Sequence, residues 1–232
     1  MIANLFLHNR PDTQGVEGKS AREDSFVMTD LPAIIVSGTP GTGKTRFSRL
    51  LARRLGIDSI NLTEFAKQRR LVKTYDRARR TYVIDEKKLR VGLRRHLTSS
   101  KTKLVIDTHY CGSYVPTRLV DIVFVLRCSP EILRKRLAIR GYDKLKIREN
   151  IEAEVLDVCL SEAIAAHGLQ KVAEIDTTTR KVEDCVEEAM MIFTGKIPKR
   201  VGAYDWIVEL EREGKLDRFL KERASPWKRR SQ

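Results

Sequence analysis

The chain has 232 residues, 41% of them hydrophobic, and a formal charge of +14, a length that holds one sizeable core plus an appendage. No apolar run approaches the roughly 18 residues of a membrane span, and residues 1–14 lack the basic start and apolar stretch of a secretion signal. Cys111, Cys128, Cys159 and Cys185 are too widely spaced for a metal-ligand pattern or a disulfide framework, so a reducing interior is expected, cytoplasmic or, in a eukaryote, nuclear.

In chain order, residues 1–31 show weak periodicity and are expected to form a poorly ordered extension. Residues 33–37, AIIVS, are apolar and β-branched and predict a buried parallel strand. Directly after it, GTPGTGKT at 38–45 fits G-x-x-x-x-G-K-[ST], a phosphate-binding loop. Gly38, Gly41 and Gly43 permit backbone angles that turn consecutive N–H groups, that of Thr42 among them, toward phosphate oxygens. Lys44 would place a compact charge on the β- and γ-phosphates, and the Thr45 hydroxyl would ligate magnesium. Phe47, Leu50, Leu51 and Leu55 then recur at helical spacing, and Gly56 ends that helix. Strand, glycine loop and helix thus follow in the order phosphate binding requires, which weighs against a chance Gly-rich turn.

Residues 59–61 predict a short strand, 62–71 a helix, 72–80 an irregular basic stretch, and 85–98 a helix with Leu89, Leu93 and Leu97 on one face. Strands are expected at 103–107, 121–126 and 171–175, and helices at 131–140 and 181–194. One long helix is expected over 147–167, with Ile151, Val155, Leu156 and Leu160 as its buried stripe. The alternation predicts a three-layer α/β domain with a five-stranded, mostly parallel sheet over 32–195. Ligands of such sheets bind at the C-terminal ends of the strands. After a linker near Pro198, residues 196–232 form a basic tail with two short helices, whose Trp206, Ile207, Leu210, Phe219 and Leu220 either dock on the domain or meet a partner.

Residues 46–103 hold 18 Lys/Arg against 5 Asp/Glu, or +13, whereas the rest of the chain has 27 against 26. A field so localised favours phosphate-rich partners; the alternative is the solvated face of a protein adapted to heat or salt. Asp107 follows the apolar Leu104-Val105-Ile106 and is placed to hold a magnesium-bound water. His109, two residues on, shares its face if the chain stays extended; it orients a water, contacts a phosphate, or is merely structural. Residues 58–103 are too long for one crossover helix, which suggests a helical insertion holding a second phosphate-bearing substrate. Basic residues cluster again between Arg134 and Ile151, where arginines closing over the loop would neutralise a transferring phosphoryl group.

The combination of GTPGTGKT (38–45), YD (75–76), IDE (84–86), IDTHYC (106–111), DIVFVLR (121–127) and RLAIRGYDKLKIRENIEAE (136–154) resembles adenylate kinase isoenzyme 6, in a form that looks archaeal. The resemblance spans about residues 32–193. It implies a magnesium-dependent adenylate kinase with ATP hydrolysis, ATP and AMP as substrates, and a role in small ribosomal subunit maturation through a platform ribosomal protein and rRNA. On this chain Gly41, Gly43, Lys44 and Thr45 would hold the ATP phosphates. Asp107 would hold magnesium through water, and His109 would serve hydrolysis or coupling. Arg136 and Arg140 would be the lid-side arginines, with Arg136 also on the nucleotide. Residues 58–98 would be the nucleoside-monophosphate arm, with Lys67 and Asp85 on the monophosphate, and 141–146 a short lid. Two features depart from ordinary adenylate kinases: Lys67 stands where an arginine grips AMP, and Thr108-His109-Tyr110 replaces a G-F-P-R turn. Both keep an assembly ATPase, or a kinase for another nucleoside monophosphate, as alternative readings.

Overall fold

The computed structural model describes residues 33–76, 81–99, 103–109 and 114–220; the expected N-terminal extension, Cys111 and the end of the tail lie outside them. The chain runs through β1 (Ala33–Gly38), α1 (Lys44–Leu55), β2 (Asp58–Asn61) and α2 (Leu62–Gln68), then a ribbon of β3 (Val72–Asp76) and β4 (Thr81–Ile84). It continues through α3 (Glu86–Ser99), β5 (Leu104–Asp107), β6 (Val120–Arg127), α4 (Pro130–Ile139), α5 (Lys144–Val155) and α6 (Val158–His167). It ends with β7 (Val172–Asp176), α7 (Val182–Phe193), α8 (Trp206–Arg212) and α9 (Leu216–Leu220).

Five strands form one sheet in the order β2-β5-β1-β6-β7, and every pairing in it is parallel. Helices cover both faces, which is why the strands read as continuous apolar runs. Strand alternation sorts the residues. Ala33 and Ile35 face a core with Phe65 of α2, Leu89, Leu93 and Leu97 of α3, and Ala163 of α6. Ile34 and Val36 face Phe47 and Leu51 of α1 and Val186 and Ala189 of α7. The sheet ends at a crevice where β1 sits between β5 and β6, and the glycine loop opens into it.

Two expectations are corrected. The stretch from residue 72 contains an antiparallel ribbon in which Tyr75 pairs with Tyr82, their rings 4.9 Å apart. Its β-branched and aromatic residues favour strands, but residues 77–80, Arg-Ala-Arg-Arg, carry no Gly or Asn turn signal. The expected long helix breaks at Asp157, which takes a left-handed conformation (φ 54°) and gives its carboxylate to Arg127. The break changes the helical phase, so Ile151, Val155 and Leu160 are buried while Leu156 is 53% exposed. In the tail, Trp206, Leu210 and Phe219 dock on Ile151 and Val155 of α5.

Candidate active site

The loop's backbone is shaped by what surrounds it. Gly38 has φ 138°, and a Cβ there would lie 2.5 Å from the Leu126 carbonyl oxygen on β6. At Gly41 a Cβ would lie 2.7 Å from Leu133 Cδ1 on α4. Thr42 closes the turn by donating its hydroxyl to the Thr39 carbonyl at 2.9 Å. Lys44 opens α1 and donates to the Gly38 and Thr39 carbonyls at 2.6 and 3.1 Å. An ammonium has three donors, so one remains for a phosphate oxygen. Burial lowers the Lys44 pKa, opposed by the nearby carboxylates of Asp107 and Glu154. The positive end of α1 adds to the field felt by an anion in the loop.

A carboxylate stands opposite. Asp107, 3% exposed at the end of β5, accepts from Thr45 Oγ1 at 2.7 Å and from Asn61 Nδ2 at 2.9 Å, both on Oδ2. Asn61 reaches it because β2 and β5 run parallel with Asn61 beside Asp107. The same Asn61 caps α2, its Oδ1 accepting from the Thr63 and Glu64 N–H groups at 3.1 Å each. Among the described residues no group of three His, Cys, Asp or Glu converges. One hydroxyl beside one carboxylate is the hard-oxygen set that suits magnesium, which keeps waters and takes its other ligands from phosphates. Thr45 and Asp107 therefore fit that ion.

Lys44, Thr45, Asn61, Asp107, His109 and Arg140 line one cavity of about 480 Å³, with Lys146 and Asn150 of α5 on its far wall. Burial, then the charge of Lys44, lowers the His109 pKa to about 4. His109 is therefore neutral at pH 7, suited to orienting a water and not to neutralising phosphate charge. A second cavity of about 530 Å³ lies on the other side of the loop. Arg46, Phe47, Ile139 and Val182 line it, with Arg136 and Arg140. Arg140 thus borders both. Arg136 donates to the Thr177 and Thr178 carbonyls at 2.6 and 3.0 Å, which ties α4 to the loop after β7.

The arm residues lie elsewhere. Lys67 pairs with Glu64 at 2.9 Å and sits 4.6 Å over the Tyr82 ring, and Asp85 accepts from the Lys88 N–H at 3.1 Å. Neither lines the two cavities beside the loop. Residues 141–146 divide between a turn and the start of α5, which Asp143 caps through the Lys146 N–H at 2.8 Å. Sequence reasoning missed Asn61, whose cap before Leu-Thr-Glu was readable though its reach to Asp107 was not. It also missed the role of the buried Glu154, the last residue of the 136–154 stretch, and it took Lys146 only as one of a basic cluster and the end of the expected lid.

Parallel sheet, glycine loop and convergent cations define the class: a P-loop nucleotide-binding enzyme of the nucleoside-monophosphate-kinase type. The AAA domain family matches residues 34–157. A protein of Methanocaldococcus jannaschii named "Putative adenylate kinase" is 42% identical over 75% of this chain and 92% of its own length. Proteins of the same name from Thermococcus onnurineus and Saccharolobus solfataricus are 38% and 37% identical, over 77% and 82% of this chain and 93% and 92% of their own lengths. The chain belongs to the archaeal-type adenylate-kinase family that these proteins represent. Among solved structures, a gluconokinase from Sinorhizobium meliloti aligns with a TM-score of 0.49 at 16% identity, over 73% of this chain and 94% of that one.

Proposed function

We propose that this enzyme is a magnesium-dependent adenylate kinase of the isoenzyme 6 type, converting ATP and AMP to two ADP with some ATP hydrolysis. The observation that carries the reading is the convergence of Lys44, Thr45, Asp107 and Arg140 on one cavity at the loop. The names of the archaeal relatives point the same way. The adenosine of ATP would occupy the cavity beside Phe47 and Val182, and its phosphates the loop. An AMP phosphate oxygen would attack the γ-phosphorus as the bond to the β–γ bridging oxygen breaks, releasing ADP and forming a second ADP. No side-chain nucleophile is needed, since positioning and charge neutralisation carry such transfers. Thr45 and Asp107 would hold magnesium, which supplies charge neutralisation on the β- and γ-phosphates. Lys44 and Arg140 would neutralise the transferring group from opposite walls, and Lys67 would meet AMP after releasing Glu64.

A second reading is favoured by two observations. His109 is neutral on the phosphate cavity, and Lys67 is already engaged by Glu64 and Tyr82. Both suit ATP hydrolysis with little AMP phosphorylation, coupled to the assembly of a small-subunit ribosomal protein and rRNA on the basic arm. Such binding should weaken steeply with salt; a flat salt response would return the +13 segment to an ordinary solvated face. The deciding experiment follows ATP with magnesium, with and without AMP, resolving ADP, AMP and free phosphate. AMP-dependent ADP at two per ATP is the expected result. Free phosphate independent of AMP would select the ATPase, and no consumption of ATP would reject both.

A further inference from the structure

The C-terminal segment takes no part in the chemistry above, yet a buried carboxylate joins it to the phosphate loop. Glu154 of α5 is 2% exposed. Its Oε2 accepts from Thr39 Oγ1 at 2.5 Å. Its Oε1 accepts from Arg127 Nε at 2.9 Å, the Cys128 N–H at 3.1 Å and the indole Nε1 of Trp206 at 3.1 Å. On the loop side, the Thr39 carbonyl is the acceptor that holds both Lys44 and Thr42. On the tail side, a second carboxylate of the same cluster is also engaged. Glu174 pairs with Arg127, accepts from the Ala203 N–H at 3.0 Å, and donates its own N–H to the Arg200 carbonyl at 2.9 Å.

We propose that Glu154 is a positioning residue for the phosphate loop and that the C-terminal segment, through Trp206, holds Glu154 in place. The inference rests on the reading that the loop binds the phosphates of ATP. A carboxylate buried this deeply needs donors on both oxygens. Thr39 supplies one side, while Arg127, Cys128 and Trp206 supply the other. The indole N–H is the contribution that comes from beyond the sheet domain. The ring does not need that N–H in order to pack, because Ile151, Val155, Leu210 and Phe219 bury its apolar surface. Loss of the N–H lets Glu154 shift toward its remaining donors and slackens Thr39. The Thr39 carbonyl, one of the two that hold Lys44, moves with it. The consequence falls on ATP and not on AMP, since no arm residue contacts this cluster through a hydrogen bond described above.

The chain has two tryptophans, Trp206 and Trp227, so Trp227→Phe makes the indole at 206 the sole tryptophan reporter in a full-length chain. ATP should shift its emission, AMP should not, and adding Thr39→Val should silence the response to ATP. In a separate variant, Trp206→Phe should raise the Kd for ATP about threefold to tenfold and leave that for AMP unchanged. Calorimetry run in parallel separates the two readings. ATP binding by calorimetry with silent Trp206 emission in the Trp227→Phe chain that keeps Thr39, or an emission change that survives Thr39→Val, overturns the relay and leaves the nucleotide site standing. Absence of ATP binding by calorimetry overturns the nucleotide site and the relay together. The emission arm keeps Trp206 in place, so it stands even if Trp206→Phe fails to fold.

Discussion

The phosphate loop and the basic arm are built in opposite ways. The loop is over-determined. β1 is buried on both faces, Gly38 and Gly41 press against β6 and α4, and Lys44 is tied to two loop carbonyls. The arm buries Leu62, Phe65 and Ala66 of α2 and the leucine stripe of α3, while Tyr75, Tyr82 and Val83 of its ribbon are exposed. Its charges pair locally, Lys67 with Glu64 and Lys88 with Asp85, and exposed pairs of that kind add little rigidity. A triphosphate is the same in every reaction cycle, so a preformed cradle suits it. The second substrate or macromolecule that the proposed function gives the arm would enter and leave, and a lightly packed, strongly charged element suits that role.

Substitutions should therefore cost far more in the loop than in the arm. Lys44→Ala is expected to lower kcat/KM for ATP about 10³-fold; steady-state rates check it, and near-normal turnover would break the comparison. Asp107→Asn should raise the magnesium concentration for half-maximal activity about 10- to 100-fold, whereas Asp85→Asn in the arm should leave the magnesium titration unchanged. Glycines give a stability version of the same contrast. Gly38→Ala combines a positive φ with a 2.5 Å approach to a backbone oxygen, and should cost about 3 kcal/mol, or roughly 6–12 °C in Tm. Gly92→Ala in α3 meets only the end of the Leu71 side chain at 3.2 Å. There the helix-propensity gain should keep the net change within about 1 kcal/mol. Thermal unfolding of both variants tests the pair.

The smallest effect concerns pH. The His109 pKa is lowered to about 4 in the fold, against about 6.5 in an unfolded chain. Between those values the unfolded chain binds the extra proton, so the His109 contribution to stability is fully present above about pH 6.5 and is lost as pH falls toward 4. His109→Gln should therefore lose less Tm between pH 7 and pH 5 than the parent chain. Equal losses would mean that the imidazole is not held neutral.

Much of the fold was legible because its signals are local. The strand before the loop, the stripe of α1, the Gly56 stop and the leucines of α3 each appear within a dozen residues, and the structure places them as expected. The ribbon was missed because residues 77–80, between its two strands, carry no Gly, Asn or Pro signal. The break between α5 and α6 was missed because Asp157 looks like any helix-surface acid until Arg127, 30 residues away, claims its carboxylate. Arg136 shows the same limit at the site. The resemblance makes it a lid-side arginine on the nucleotide, and only the fold shows its guanidinium bonded to the carbonyls of Thr177 and Thr178.

By itself the sequence determined the loop, its flanking strand and helix, the parallel α/β class, and Asp107 as the carboxylate at the end of a later strand. Short-range sterics and strand periodicity write these into contiguous residues. Only the tertiary structure decided which oxygen of Asp107 receives Thr45 and Asn61, that Arg140 borders two cavities, and that Trp206 shares a carboxylate with the loop. Those partners are separated by 46 to 115 residues. Hydrogen-bond partners so far apart are chosen by how the sheet and helices pack, which no local pattern records.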